Sequence, residues 1–222
     1  MAICNSWNPK LQNMLLLYTL FYLCIIIPLA TPLNFSFPII KDQNADITTY
    51  QDAYNSGQGH PLTPNERHMN REQKVGRATY KEPLHLWDKA SGNLTDFDTN
   101  FSFIINSEGE PKYGDGFAFV LLPNHSDILL TVGGAFGLPT NRTTIENTFA
   151  FVAVEFDTYH NGLNSCDPAD IQGTHVGINI NSLRSNASEE WKSNITHGKE
   201  NKARISLNRV IFRKTYCYIV EF

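Results

Sequence analysis

Val152–Asn181 reads VAVEFDTYHNGLNSCDPADIQGTHVGININ. It opens inside a run that is apolar on both faces, FAFVAVEF (Phe149–Phe156), and it closes on HVGININ (His175–Asn181), where apolar and polar residues alternate. The first pattern predicts a central strand covered on both sides and the second a half-buried strand. The polar stretch between them predicts a loop. Outward from this segment the same period recurs. Gly116–Leu122 (GFAFVLL) is a second run apolar on both faces, while Leu33–Ile39 (LNFSFPI) and Asn100–Ile105 (NFSFII) alternate. Turn residues separate the runs at Ser91-Gly92-Asn93, Glu108-Gly109-Glu110-Pro111, Gly133-Gly134 and Pro139-Thr140-Asn141. Short strands joined by polar turns, with almost no helical periodicity, predict an all-β sandwich or barrel. Gln51–Gln73 is polar and predicts a loop or a weakly paired edge. No internal repeat or linker is visible.

Composition agrees. The 222 residues are 41% hydrophobic and 18% charged, with 14 Phe and 9 Tyr, which suits a globular chain rich in pleated sheet. A net charge of −4 lacks the basic footprint of a nucleic-acid binder and excludes that class. The length fits one domain or two small ones.

Met14–Ala30 (MLLLYTLFYLCIIIPLA) is seventeen residues without a charge, preceded by Lys10. This layout predicts a signal peptide over residues 1–30, cleaved after Ala30, and a secreted protein of the apoplast or cell surface. A membrane anchor is the competing reading, because the run is at the short edge of a span. No later stretch is long enough to cross a bilayer. Cys166 and Cys217 remain after cleavage and can form one disulfide, although the sequence does not show that they do. Seven Asn-x-Ser/Thr triplets, at Asn34, Asn93, Asn100, Asn124, Asn141, Asn186 and Asn194, predict a surface-glycosylated protein.

Residues two apart in a strand share a face, so Glu155 and Asp157 project together from the end of an apolar strand. Two such carboxylates either hold a cation or cap a solvent-exposed strand end, with His175 an ordinary polar residue. With Asn161 and Asp167 in the loop and His175 opening the next strand, the oxygens suit Ca²⁺. A carboxylate set with one imidazole suits Mn²⁺ or a similar ion.

This segment resembles the metal-binding region of the legume, or L-type, lectins, in particular the extracellular domains of plant lectin receptor kinases. The likeness extends through LNFSFP (Leu33–Pro38), VGRATYKEPLHLWDKASGNLTDFDTNFSFIIN (Val75–Asn106), YGDGFAFVLLP (Tyr113–Pro123) and GGAFGL (Gly133–Leu138), in that order. It covers Leu33–Ser206 and gives a lectin-like domain over residues 31–206 with a divergent end over 207–222. It implies a two-sheet antiparallel β-sandwich, a concanavalin-like jelly roll, that binds carbohydrate or glycoconjugates and is not an enzyme. By resemblance, Glu155, Asp157, Asp167 and His175 match the transition-metal ligands. Asp157, Asn161, Asp167 and the Tyr159 carbonyl match the calcium site. Asp115 matches the acceptor of sugar hydroxyls and Gly134 the N–H donor. Asn161 matches a residue serving ion and sugar together, and Tyr159 can stack on a pyranose. The resemblance also implies a cis peptide at Gly114–Asp115.

The chain departs from the pattern in two places. Five residues (GLNSC) separate Asn161 from Asp167, more than in many members, which makes Asp170 a substitute ligand for Asp167. After Ile205 the likeness ends; the chain runs LNRVIFRKTYCYIVEF (Leu207–Phe222), without a receptor kinase's span and kinase domain. This reads as a truncated lectin domain, its sandwich incomplete at the C-terminal end. Two further readings follow: a remnant that acts through protein contacts or is inactive, and a β-sandwich glycosidase. The glycosidase needs a second suitably spaced carboxyl group, and Glu155-Phe156-Asp157 is followed by Thr158, Tyr159, His160 and Asn161.

Overall fold

The computed structural model describes residues 9–26, 33–38, 45–57, 59–65, 70–86, 94–111, 113–124, 126, 130–140, 150–162, 166–192, 195, 197–208 and 217–221. The chain forms two compact units, Met1–Phe35 and Ser36–Phe222. The first holds one helix, α1 (Pro9–Ile26), built from the apolar run. Among the described residues no helix is long and apolar enough to cross a membrane. The expected cleavage point after Ala30 lies outside the described residues.

Among its described residues the second unit is all-β, and every pairing is antiparallel. A two-stranded ribbon joins β1 (Ile47–Gln51) to β2 (Gly76–Tyr80). A three-stranded sheet is ordered β3 (Phe97–Ile104), β8 (Glu200–Asn208), β9 (Cys217–Glu221). A four-stranded sheet is ordered β4 (Gly116–Leu121), β5 (Val152–Asp157), β6 (His175–Ile180), β7 (Ala187–Glu190).

Strand β5 organises the molecule because both of its faces are covered. Val154 and Phe156 enter the core between the two larger sheets, against Phe97, Phe101 and Phe103 of β3, Phe117 and Phe119 of β4, Ile205 of β8 and Trp191. This core is aromatic: ring centroids are 4.7 Å apart for Phe103–Phe156, 5.0 Å for Phe103–Phe117 and 5.7 Å for Phe101–Phe119. The opposite face carries Ala153, which packs under Leu138 and Phe151 with Ala118 and Val120 of β4. The continuous apolar reading of β4 and β5 is thus met on both faces, although β4 ends its sheet among the described residues.

Several expectations are corrected. Leu33–Phe37 forms no strand; Pro38 cannot donate to a ladder, and Phe37 instead packs its ring 6.0 Å from Tyr80. Ile39 lies outside the described residues. β5 begins at Val152, and Phe151 N–H just before it donates to Asn181 Oδ1; Phe149 lies outside the described residues. Among its described residues Gln51–Gln73 is largely irregular, as expected, with one bridge between Ser56 and Gly59. Cys166 is a free thiol; the side chain of Cys217 lies outside the described residues.

Phe156 is fully buried. Phe156→Ala should cost about 3–5 kcal/mol, against well under 1 kcal/mol for truncating the exposed Ile104. Urea denaturation of both variants checks this; equal losses would show that the aromatic core is not where stability resides.

Candidate functional site

The face of β5 that carries Ala153 continues into Glu155 and then Asp157, and there the sheet turns from apolar to acidic. Register sets Glu155 between Ala118 and Gly177, and Asp157 between Gly116 and His175. Glu155, Asp157 and His175 are 3%, 2% and 0% exposed, so they do not cap an open strand end. Glu155 Oε1 accepts a 2.5 Å hydrogen bond from Ser185 Oγ and lies 3.4 Å from His175 Nε2. That nitrogen is sealed from water and, among the described residues, has no hydrogen-bond partner of acceptable geometry. Nδ1 is 3.4 Å from Gly173 O. Asp157 Oδ1 accepts from Tyr159 N–H at 2.7 Å.

Burial pushes Asp157 up to about 7, against the pull of the Tyr159 N–H and His175 and with the neighbouring charges of Asp167 and Glu155 adding to it. Desolvation draws His175 down, but Glu155 and Asp157 outweigh it, and its pKa is raised. A buried acidic pair that retains a proton near neutrality, beside an orphaned imidazole nitrogen, has the donor chemistry of a divalent metal site.

The expected ligands do not all converge. Among the described residues, no three His, Cys, Asp or Glu side chains are grouped so as to hold one ion. Asp167 faces its own loop: its Oδ2 accepts from Asn161 N–H at 2.5 Å and lies 3.3 Å from His160 Nδ1. Each carboxylate is satisfied by a local donor, Ser185, Tyr159 or Asn161, rather than sharing a centre. Asp170 sits exposed in the turn that follows.

Three loops meet above this cluster. Asp115 follows a cis Gly114–Asp115 peptide, and its carbonyl accepts from Thr158 N–H at 2.9 Å and Thr158 Oγ1 at 3.1 Å. A Cβ on Gly114 would come 2.9 Å from Tyr159 Cβ, and one on Gly134 would come 3.2 Å from Asn161 Nδ2. Tyr159 is 49% exposed, and its carbonyl is 3.3 Å from the same Asn161 amide. Gly116 combines φ of 145° with contacts to Phe136 and to the Phe156 carbonyl that leave no room for a side chain. Asp115, Gly134, Tyr159 and Asn161 therefore line one end of the four-stranded sheet.

Of the glycosylation triplets, Asn34, Asn100, Asn124 and Asn186 are exposed, whereas Asn93, Asn141 and Asn194 lie outside the described residues. Three contributors escape a reading of the sequence. Ser185 covers Gly177 and reaches Glu155, Thr158 ties down Asp115, and Arg77 Nη2 donates to Gly137 O at 2.9 Å across sixty positions. Ser and Thr are too common to stand out. Only the Arg77 position inside an otherwise apolar and polar-neutral strand, GRATY, gave a signal.

An aromatic-cored β-sandwich with an acidic loop cluster at one end defines the class. The legume lectin domain matches residues 32–211, and the chain belongs to the legume lectin family. It is 35% identical over 185 residues to Lectin 6 of Medicago truncatula, covering 81% of this chain and 66% of that protein. Lectin I-B4 of Griffonia simplicifolia, solved in a metal-free form, matches with a TM-score of 0.66 at 34% identity, over 78% of this chain and 73% of that one. Lectin I of Ulex europaeus, solved with the methyl glycoside of α-L-fucose, matches with a TM-score of 0.66 at 29% identity, over 77% and 70%. The family and these relatives are lectins rather than glycosidases. The chain spans 66% of the length of Lectin 6 and 59% of Lectin 9 of M. truncatula.

In protein stripped of divalent ions, the folded state keeps the Asp157 proton up to pH about 7, while the unfolded chain releases it near the ordinary 3.8. The unfolded state then binds fewer protons, so this contribution to stability is present below pH about 4 and lost as pH rises to 7; the raised His175 acts in the same direction. Asp157→Asn removes the Asp157 part. Its stability relative to the metal-free parent should rise by roughly 2–4 kcal/mol between pH 4.5 and 7.5. Parallel melting curves across that range would refute the buried acidic proton.

Proposed function

We propose that this chain is a secreted carbohydrate-binding protein that holds a sugar in a shallow site at the end of the four-stranded sheet. Asp115 accepts hydrogen bonds from sugar hydroxyls, the Gly134 N–H donates, Asn161 serves both sugar and ion, and the exposed Tyr159 ring stacks on the apolar face of the sugar. The observation that carries this reading is the meeting of three separate loops, with Gly134 against the Asn161 amide and Gly114 against Tyr159. A sugar hydroxyl both donates and accepts, so its site needs a fixed carboxylate and fixed N–H donors side by side. The sugar complex of the Ulex lectin supports a glycan as ligand.

Glu155, Asp157, Asp167 and His175 would hold a transition metal such as Mn²⁺. Asp157, Asn161, Asp167 and the Tyr159 carbonyl would hold Ca²⁺. The orphaned His175 nitrogen and the buried carboxylate pair support these assignments. The ions would supply positive charge that neutralises the carboxylates and ties the Tyr159–Asn161 loop to the strand ends, lowering the ordering cost of binding. The apolar Met14–Ala30 run supports secretion, and the exposed Asn34, Asn100, Asn124 and Asn186 support N-glycosylation of the secreted chain.

Asp115→Asn keeps the side-chain shape but replaces a charged acceptor partly with a donor. The loss of a charge-assisted hydrogen bond costs about 1.5–3 kcal/mol, a ten- to hundred-fold drop that takes a weak single-sugar affinity below detection. Glycan-array and calorimetric binding, with circular dichroism as the folding control, measure this. Undiminished binding by the variant would put the sugar site elsewhere.

Expressed in plant cells, the protein should be recovered from the medium with an N-terminus near Thr31, attached N-glycans, and bound calcium and transition metal by elemental analysis. Chelation should abolish its glycan binding. An unglycosylated intracellular product would reject secretion, and binding indifferent to chelator would reject the metal assignment.

A further inference from the structure

The loop that carries Gly134 is held from behind by a residue far from it in sequence. Within the loop, Phe136 N–H donates to Gly133 O at 2.9 Å and Gly137 N–H to Thr131 O at 2.9 Å. Thr131 Oγ1 closes the base onto Thr140 O at 2.8 Å. Gly137 adopts a φ of 70°, and a Cβ there would come 3.1 Å from Val75 Cγ2, so the loop presses on the start of β2. That start is itself anchored. Asp52 Oδ2 accepts from Val75 N–H at 3.0 Å, and Oδ1 accepts from Lys74 Nζ at 3.2 Å. From this fixed strand Arg77 reaches out, and its Nη2 donates to Gly137 O at 2.9 Å.

We propose that Arg77 is a positioning residue of the sugar site, a clamp that fixes the Gly133–Leu138 loop so that Gly134 stays against Asn161. This rests on the carbohydrate reading given above. A charged donor holds a carbonyl more strongly than a neutral one, and the effect grows where water is partly excluded. The guanidinium is partly desolvated, which draws its pKa down, while Tyr50, opposite it in the β1–β2 register, acts the other way; arginine stays charged throughout. Its grip falls on Gly137, three residues beyond Gly134, so releasing it frees the segment that supplies the N–H donor without touching the donor itself. Neither Arg77 nor Val75 belongs to the sugar-lining set, so the clamp acts through the loop alone.

The test uses the full, metal-loaded chain and the glycan that the parent binds best on an array. Hydrogen exchange is followed in residues 131–140 and, as a reference, in β6. Arg77→Met should speed exchange in the loop at least tenfold, leave β6 unchanged, and weaken glycan affinity about tenfold, the worth of one hydrogen bond. Arg77→Lys, which restores a charged donor, should recover part of both losses. Unchanged loop exchange in Arg77→Met, or faster exchange with unchanged affinity, overturns the proposal. Faster exchange spread equally through β6 also overturns it, because that marks general destabilisation. If Arg77→Met fails to fold, Arg77→Lys decides by the same two readouts, with loop exchange faster and affinity weaker than in the parent counting for the clamp, and full parental rigidity and affinity overturning it. A parent that binds no glycan refutes the carbohydrate reading, and the exchange data then judge the clamp by itself.

Discussion

Two carboxylates on one face of one strand, sealed from water, are the constraint around which this molecule is arranged. Glu155 and Asp157 retain only a few per cent of exposure, and their strand is pinned by Phe156 pointing the other way into an aromatic core. Moving either carboxylate into solvent would require β5 to rotate, and rotation would drag Phe156 and Val154 out of contact with Phe101, Phe103 and Trp191. Burying a carboxylate costs several kcal/mol in effective terms, so the hydrophobic face stabilises a placement that the polar face resists. Local donors from Ser185 and Tyr159, and the proton retained by the cluster, offset part of that cost.

The loops inherit their geometry from this strand. Thr158 is the residue after β5, and both its N–H and its hydroxyl hold the Asp115 carbonyl. Tyr159 and Asn161 follow at once, against Gly114 and Gly134. The ladder between Gly116 and Asp157 thus fixes one wall of the site, and the close approach of Phe136 to Gly116 fixes another. Rigid scaffold and exposed site meet within a few residues, which is how a surface loop comes to hold a defined shape.

Strands with a strong apolar or alternating pattern were the most legible in the sequence. β4, β5 and β6 follow from GFAFVLL, FAFVAVEF and HVGININ, because alternation and continuous apolarity encode burial directly. The site residues Asp115, Gly134, Tyr159, Asn161 and the Glu155–Asp157–His175 cluster were also nameable, through resemblance for their roles and through strand geometry for the carboxylate pair. Weakly patterned strands were not. β1 (ITTYQ) and β7 (ASEE) owe their existence to partners, β2 and β6, and carry little hydrophobic signal of their own. Leu33–Phe37 shows the reverse case, a good alternating pattern without a ladder among the described residues. Contacts such as Arg77–Gly137 and Ser185–Glu155 depend on chain crossings that no local window contains.

The closure of the Thr131–Thr140 loop has a consequence for how this surface can be varied. Its base is tied by Thr131 to both Gly137 and Thr140, and inner turns run from Gly133 to Phe136 and from Ala135 to Leu138. The segment is in effect a self-contained cassette with fixed ends. Its tip can be exchanged by directed evolution while the sheet beneath keeps its register, provided that Gly133, Phe136 and Gly137 retain residues able to adopt positive φ. The same segment lends the buried Leu138 to the core over Ala153, so exchange is confined to the tip and any change at its base is felt in the stability of the sheet.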